Sequence, residues 1–281
     1  MPFQSDFTQR RVTVDGVDVT YYDTSSFDDE RTPVMLVHGT GGSAYGSFSS
    51  LMPMLSFKYR VIAVDLVDCD LEKAEISNYV QQCLAVIEAS TRGRSVRLVG
   101  YSLGAVVAAT LAFQAPKVVE DLVLIAGWLR TDAHQMLRNR LWFQINEIAP
   151  ELLPEFTVLT SYSHRFIASK TDADVRSLVM AASGGPDRAA KMRINRGVDL
   201  SEIAPDIRTR TLVIGCTEDQ MVPISHSYAL YASIPNATFV DVRAGHLVVR
   251  ERPAELFKRI HDFVSRSSKH LDGGILDAIH A

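Results

Sequence analysis

The strongest chemical signal in the sequence is a serine flanked by two glycines. The segment Gly100-Tyr101-Ser102-Leu103-Gly104 lies between a predicted buried strand and a predicted helix, which is the G-x-S-x-G pattern in the context it requires. A serine on such a sharp turn takes a strained backbone conformation, and only glycines beside it let the neighbouring backbone pass so close. The start of the helix adds N–H groups and a positive dipole end where an oxyanion can form. The motif predicts that Ser102 is a nucleophile.

A serine hydroxyl is a weak nucleophile at neutral pH, so it needs a base that is held in place by an acid. The predicted base is His246, which directly follows the last predicted strand. The predicted acid is Asp219, which follows the preceding strand on a short turn before Pro223. Because strand ends meet at one edge of a parallel sheet, both side chains would lie beside Ser102. The order Ser, Asp, His is the one expected for this arrangement.

Other residues could fill these two roles. Glu218 is adjacent to the predicted acid, and Asp132 follows the fourth buried strand. His226 begins a predicted helix and could reach the pocket as a base, whereas His38 is expected to be a packed loop residue. The remaining histidines lie in predicted helices, in the segment inserted between strands or in the tail, with no strand end to aim them: His134, His164, His261, His270 and His280.

Acyl transfer passes through a negatively charged oxygen, which backbone N–H groups can stabilise. One predicted donor is the N–H of Leu103, directly after the nucleophile. The second is expected in the glycine-rich loop after the first buried strand, with Thr40 as the candidate and Gly41 as the next choice. A phosphate-binding loop is the competing interpretation, but no lysine follows these glycines and no G-x-G-x-x-G is present.

Short apolar runs alternate with helical periodicity along the chain. The predicted strands cover 11–14, 17–22, 33–38, 60–66, 96–101, 122–126, 211–216 and 238–242, and the predicted helices cover 72–90, 103–114, 133–148, 171–182, 186–196, 224–234 and 253–265. The Asp15-Gly16 pair is typical of a tight hairpin between the first two strands. The alternation indicates an α/β fold, with a mostly parallel central sheet and helices on both faces.

Residues 131–205 lack any strand-like run and carry helical stretches instead. We therefore expect a core formed by residues 1–130 and 206–281, with a helical cap at 131–205 inserted after the fourth parallel strand. Because ligands of such sheets bind at the carboxyl ends of the strands, this cap would roof the binding crevice. The polar tail from Ser267 is expected to end in a short helix.

The predicted pocket combines glycine-rich backbone with large apolar side chains. The candidate substrate contacts are Gly41, Trp128, Trp142, Met221 and Leu247, with Phe143 as a further apolar candidate. Basic and acidic residues are balanced in the predicted cap, so its charge count does not indicate an anionic substrate. A medium-sized, partly apolar ester, lactone or thioester is the substrate class we expect.

The composition excludes several function classes. The chain has 281 residues, 47% of them apolar, and its 29 basic and 33 acidic residues are interspersed, which argues against nucleic acid as a partner. Three cysteines without a CxxC pair indicate reduced thiols rather than a disulfide framework or a zinc site. Without an apolar signal segment or a membrane-length apolar run, a cytoplasmic protein with no membrane partner is expected. No cofactor or metal is expected, the partner is a small-molecule substrate, and a homodimer is left open.

Several sequence segments resemble the α/β-hydrolase superfamily, in the capped branch that includes small esterases, lactonases and C–C hydrolases. The matching segments are VMLVHGTGG, RVIAVDL, LVGYSLGA, LVIGCTEDQMVP and AGHLVVRERPAELFKRIHDF, spread from residue 34 to residue 263. The resemblance implies an α/β-hydrolase fold, a metal-free reaction and a covalent acyl-enzyme, with the triad at Ser102, His246 and Asp219. Its serine argues against the dehalogenase and epoxide-hydrolase branches, whose nucleophile is an aspartate.

One segment departs from that family. Relatives usually continue the RVIAVDL strand with a turn of the form G-x-G-x-S, whereas this chain reads Val67-Asp68-Cys69-Asp70. The loop borders the expected mouth of the site, so the pocket shape there is left open. The same triad could also cleave a C–C bond or run a lyase reaction, and the fold could serve as a ligand receptor. The complete triad favours an enzyme.

Overall fold

The computed structural model of the protein describes residues 7–24, 32–68, 75–183 and 188–266. Its strands are β1 (Thr8–Val14), β2 (Val17–Asp23), β3 (Val34–Val37), β4 (Val61–Val64), β5 (Val96–Tyr101), β6 (Val119–Ile125), β7 (Arg210–Cys216) and β8 (Ala237–Val242). Its helices are α1 (Ala44–Phe48), α2 (Leu51–Ser56), α3 (Ile76–Thr91), α4 (Leu103–Gln114), α5 (Ala133–Ile148), α6 (Leu153–Ser161), α7 (His164–Ala168), α8 (Asp172–Ala182), α9 (Ala189–Arg196), α10 (Ile224–Ser233), α11 (Val248–Glu251) and α12 (Pro253–Val264).

The eight strands form one sheet in the order β1-β2-β4-β3-β5-β6-β7-β8. The first two strands pair antiparallel around Asp15-Gly16, and β2 pairs antiparallel with β4, while the pairs from β4 to β8 are parallel. Both turn residues have positive φ, 48° and 81°, as a tight hairpin requires. Apolar side chains on the two faces of the sheet form two separate cores under the flanking helices. The predicted α/β fold class is confirmed.

The sequence prediction is best where an element is long or fully buried. Both ends of β5, α4 and α5 agree with the predicted bounds. The helices that the sequence missed are short, from four to nine residues each, and a segment of that length hardly shows helical periodicity: α1, α2, α6, α7 and α11. The predicted helix in the tail lies outside the described residues. None of the helices within the described ranges is long and apolar enough to cross a bilayer.

Helices α5 to α9 lie between β6 and β7, in the segment 131–205 that we call the helical insertion. The insertion leaves the sheet and returns to it at one place, where Thr131 N–H donates to Val198 O at 3.0 Å and Leu200 N–H donates to Leu129 O at 2.8 Å. Because these hydrogen bonds join the two ends of the insertion, its chain leaves and re-enters the core at neighbouring points.

The turn between β5 and α4 packs backbone directly against backbone. A Cβ on Gly104 would overlap the carbonyl oxygens of Val37 and His38, at the end of β3. A Cβ on Gly100 would overlap the Gly104 carbonyl in the same way. The first turn of α4 therefore rests on the ends of two strands with no room for a side chain.

The loop after β3 is held by a buried histidine. The His38 Nδ1–H donates to Gly39 O at 2.7 Å, and its Nε2 accepts from Leu66 N–H at 3.0 Å. These two bonds need the neutral imidazole, because a second proton would leave Nε2 with no lone pair for Leu66. Burial lowers the pKa of His38 from 6.5 to about 4. The neutral ring thus joins the ends of β3 and β4.

We expect Gly104→Ala to lower the free energy of unfolding by about 1–3 kcal/mol or more, because the new methyl group must displace the backbone of β3. The exposed Gly197 is the matched control, since an added Cβ there meets only Ile194 O at 3.9 Å and its φ is −98°. Its alanine variant should stay within about 0.5 kcal/mol of the parent protein in urea unfolding. Equal effects of the two substitutions would contradict the packing argument.

The buried histidine also predicts a pH dependence of stability. The folded-state pKa of His38, about 4, lies below the ordinary 6.5, so the unfolded chain binds this proton more readily. Its contribution is present above pH 6.5 and is lost as the pH falls towards 4, by about 3 kcal/mol in all. The measurement is urea unfolding of the parent and of His38→Gln over this range. The parent should lose more stability, and parallel curves would refute the assignment.

Candidate active site

The predicted nucleophile lies in a strained turn at the centre of the sheet edge. Ser102 has φ 56° and ψ −123°, a conformation that is unfavourable for a residue with a Cβ. Its backbone N–H donates to Ile125 O at 2.9 Å, which pins the turn to β6. The side chain is 7% exposed and lines a cavity. The strain that the motif predicted is present at this serine.

His246 lies between the serine and the aspartate. Its Nε2 is 2.9 Å from Ser102 Oγ, and its Nδ1 is 2.7 Å from Asp219 Oδ2. Because a carboxylate can only accept, Nδ1–H donates to Asp219 and Nε2 accepts from the serine hydroxyl. The Tyr101 hydroxyl, whose pKa is raised well above 10 by burial, donates to the carbonyl of His246 at 2.9 Å. The histidine is therefore held at its ring and at its backbone.

The carboxylate of Asp219 is fixed by its own turn. Its Oδ1 accepts from the N–H groups of Met221 and Val222, each at 2.8 Å, which leaves Oδ2 for the histidine. The alternative acids have other partners: Glu218 pairs with Arg243 at 2.9 Å, and Asp132 caps α5. The alternative to the predicted base, His226, lies elsewhere, with its Nε2 at 3.2 Å from Asp132 Oδ2.

The glycine-rich loop after β3 lies directly against the nucleophile. A Cβ on Gly39 would be 2.8 Å from Ser102 Cβ, so glycine is required for this approach. Thr40 follows in the same loop, and its hydroxyl accepts from Asn195 Nδ2 of α9 at 3.0 Å. Leu103 is the first residue of α4, where the N–H has no partner within its helix. Of the two predicted oxyanion donors, Thr40 thus belongs to the loop that contacts Ser102, and Leu103 directly follows Ser102 in the chain.

A cavity of about 440 Å³ opens over Ser102 and His246, between the sheet edge and the helical insertion. All five predicted substrate contacts line it: Gly41, Trp128, Trp142, Met221 and Leu247. Phe143 is absent from the lining and instead packs edge-on against Trp142, with ring centroids 5.0 Å apart. In the part of the chain that the structure describes, no group of three His, Cys, Asp or Glu side chains is arranged to hold a metal ion.

A glutamate that the sequence analysis overlooked ties the histidine loop to the helical insertion. Glu251 accepts from Ser163 N–H at 2.7 Å, from Ser163 Oγ at 2.7 Å and from Gly245 N–H at 3.2 Å. Leu247 N–H also donates to Ser161 O at 2.9 Å. The loop that carries His246 is therefore attached to the end of α6, which lines the same cavity.

The unusual loop after β4 makes a second attachment. Asp68 forms an ion pair with Lys191 of α9 at 2.5 Å and accepts from the Tyr79 hydroxyl at 2.6 Å. Lys191 also donates to Leu66 O at 3.2 Å. The described part of the segment thus has a role that a G-x-G-x-S turn could not fill: it holds the helical insertion down. Cys69 and Asp70 lie outside the described residues.

The sequence analysis missed polar residues that line the cavity from the helical insertion: Arg138, Asn139, Arg188 and Asn195. Arg138 and Asn139 belong to a helix whose apolar and polar faces are only weakly separated, so the pattern did not show which polar side chains face inwards. A signal was present for Arg138, because it lies one turn before Trp142, a predicted contact on the same helix.

Comparisons with known proteins identify the family of this chain. Residues 32–253 match the family model described as alpha/beta hydrolase fold. Pyrrolizixenacetamide deacetylase of Xenorhabdus hominickii is 28% identical, over 90% of this chain and 97% of that protein. The 2-hydroxy-6-oxo-2,4-heptadienoate hydrolase of Pseudomonas putida is 26% identical, over 91% of this chain and 96% of that protein.

A solved structure has the same fold at low sequence identity. An alpha/beta hydrolase enzyme from a Medee basin deep-sea metagenome library superposes with a TM-score of 0.81 and 17% identity, covering 93% of this chain and 99% of that one. The sheet order, the serine on its strained turn and the match of the family model over most of the chain lead to one conclusion. This protein belongs to the alpha/beta hydrolase family.

Proposed function

We propose that this protein is a serine hydrolase that cleaves an ester, lactone or thioester of a medium-sized, partly apolar substrate. The observation that carries the proposal is the chain of two hydrogen bonds, 2.9 and 2.7 Å long, from Ser102 through His246 to Asp219 beside the cavity. Membership of a hydrolase family supports the general chemistry. A deacetylase among the relatives, named for the removal of an acetyl group, supports acyl transfer in particular.

In the proposed mechanism Ser102 Oγ attacks the acyl carbonyl while Nε2 of His246 accepts its proton. Asp219 keeps the imidazole in the required tautomer and stabilises the imidazolium that forms. The N–H groups of Thr40 and Leu103 hold the oxyanion, and each such donor contributes about 3–4 kcal/mol to the transition state. His246 then returns the proton to the leaving group, so that an acyl-enzyme remains on Ser102.

Hydrolysis of the acyl-enzyme repeats these roles with water as the nucleophile. His246 removes a proton from the water, the carbonyl is attacked again, and the acid is released from Ser102. We propose that the helical insertion acts as the cap of this site. Trp128 and Trp142, which are 2% and 5% exposed, form an apolar wall of the cavity, and the carbon skeleton of a substrate can pack against this wall.

A second candidate is favoured by the relative from Pseudomonas putida, whose named substrate is an oxo-dienoate rather than an ester. In this protein the same triad could hydrolyse a C–C bond beside a ketone of the substrate. Product analysis distinguishes the two candidates, since ester cleavage yields an acid and an alcohol, whereas C–C cleavage yields an acid and a carbon fragment without a new hydroxyl group.

The first test of the proposal is reaction with a fluorophosphonate, followed by intact mass measurement. One adduct is expected on the parent protein and none on Ser102→Ala, because only an activated serine attacks the reagent. The same variant should lose at least about a thousandfold in kcat on an ester and thioester panel, with the fold unchanged by circular dichroism. More than a tenth of the parent activity in Ser102→Ala would overturn the assignment.

The choice of the acid has a separate test. Asp219→Asn should lower kcat by about 10⁴-fold, because an amide at this position favours the wrong imidazole tautomer. Glu218→Gln is the matched control, since Glu218 pairs with Arg243 at the surface, and its kcat should stay near that of the parent. A larger loss of kcat in Glu218→Gln or in Asp132→Asn than in Asp219→Asn would contradict the proposed triad.

A further inference from the structure

The cavity above Ser102 has an unbalanced charge. Three arginines line it, Arg138, Arg188 and Arg250, and its described lining includes no aspartate or glutamate. The carboxylate of Asp219 lies nearby but does not line the cavity. It already accepts hydrogen bonds from His246 and from two backbone N–H groups of its own turn. Among the described residues, a substrate entering the cavity therefore meets positive charge and no lining carboxylate.

One of the three arginines has ordinary protein partners. Arg250 donates to Gly46 O at 2.9 Å, and its charge acts on the neighbouring Tyr162, whose pKa is raised by burial. Arg138 differs, because its Nε is buried and has no hydrogen-bond partner within the described part of the chain. Among the described residues, neither Arg138 nor Arg188 forms an ion pair with a carboxylate.

The pKa values of Arg138 and Arg188 agree with their position in the cavity. Burial lowers the pKa of Arg138 to about 10, and the neighbouring charge of Arg188 acts in the same direction, while Asp219 opposes it. Burial lowers the pKa of Arg188 as well. Both guanidinium groups stay charged at neutral pH. A buried guanidinium Nε that lacks a hydrogen-bond partner is costly, and an anion that accepts from it removes that cost.

Arg188 is also close to the catalytic loop. A Cβ on Gly41 would lie 3.0 Å from Cζ and Nε of Arg188, so this guanidinium packs against the backbone directly after Thr40. Arg138 lines the same cavity from α5, and the charge of Arg188 acts on it. The planar fork of a guanidinium fits the two oxygens of a carboxylate, which gives directed and charge-assisted hydrogen bonds.

We propose that Arg138 and Arg188 form a binding site for a carboxylate group of the substrate. The proposal rests on the hydrolase function of Ser102, and it narrows the substrate class to esters or thioesters that carry a carboxylate at a distance from the bond cleaved. The carbon chain between the carboxylate and the bond cleaved then packs against Trp128 and Trp142. The balanced charge count of the helical insertion conceals this site, because most of its other charged side chains lie outside the cavity.

The test compares two probes of equal size, the 4-nitrophenyl ester of adipic acid with its second carboxyl group free, and the same ester with that group as a primary amide. Dissociation constants are measured by calorimetry on Ser102→Ala, which binds without turnover, and kcat/KM is measured with Ser102 present. We expect the site to favour the carboxylate probe at least about tenfold, as charge-assisted hydrogen bonds to a buried arginine should.

Arg138→Met keeps the length and apolar stem of the side chain but removes the charge. The carboxylate-to-amide preference should fall at least about tenfold in this variant and in Arg188→Met. Arg140→Met is the matched control, because Arg140 is exposed on the same helix and lies outside the cavity. Its preference should equal that of the parent, which separates a local contact from the loss of one positive charge on the helical insertion.

The outcomes are distinct. Equal binding of the two probes by Ser102→Ala overturns the proposal, and so does a preference that survives both Arg138→Met and Arg188→Met. If Arg138→Met does not fold, Arg188→Met alone decides. Preferential binding of the carboxylate probe without hydrolysis by the parent protein would support the anion site while contradicting the proposed function, so the two failures can be told apart.

Discussion

The site depends on one close approach of backbone to backbone. The first turn of α4 lies on the ends of β3 and β5, with Gly100 and Gly104 at positions where any side chain would overlap a carbonyl group. That approach forces Ser102 into a strained conformation at the top of the turn. The strain is maintained because the surrounding strands are buried on both faces and cannot move aside. The serine, the glycine-rich loop and the first N–H of α4 are therefore positioned by the same packing.

The second constraint is the way in which the helical insertion is joined to this edge. Glu251 links the histidine loop to Ser163, and Asp68 links the loop after β4 to Lys191. Asn195 of the insertion donates to the hydroxyl of Thr40 in the loop beside Ser102. The insertion thus contacts the loops that carry His246 and Thr40. Movement of the insertion would be transmitted directly to both of them.

The cavity also holds positive charge that has no ion-pair partner among the described residues. An arginine on a free surface helix would be solvated, whereas the Nε of Arg138 is buried at the cavity, and burial lowers the pKa of this side chain to about 10. Such a position costs stability and is typical of a binding site. The cavity of about 440 Å³ brings together two tryptophans, the hydrogen-bonded Ser102 and three arginines.

The sequence by itself determined the sheet, the position of Ser102 on its turn and the order of the three polar residues. Buried parallel strands read as continuous apolar runs, and the turn after β5 requires glycines at fixed spacing, so both features are local and visible in the chain. The choice among Asp219, Glu218 and Asp132 was open in the sequence, because all three lie at strand ends or close to them. Only the folded turn shows which carboxylate reaches His246. The charge of the cavity depends on tertiary structure. Arg138 and Arg140 are two residues apart and so lie on opposite faces of α5, one facing the cavity and the other exposed. The spacing from Trp142 hinted at the face of Arg138, but which face meets the core depends on how the insertion sits on it.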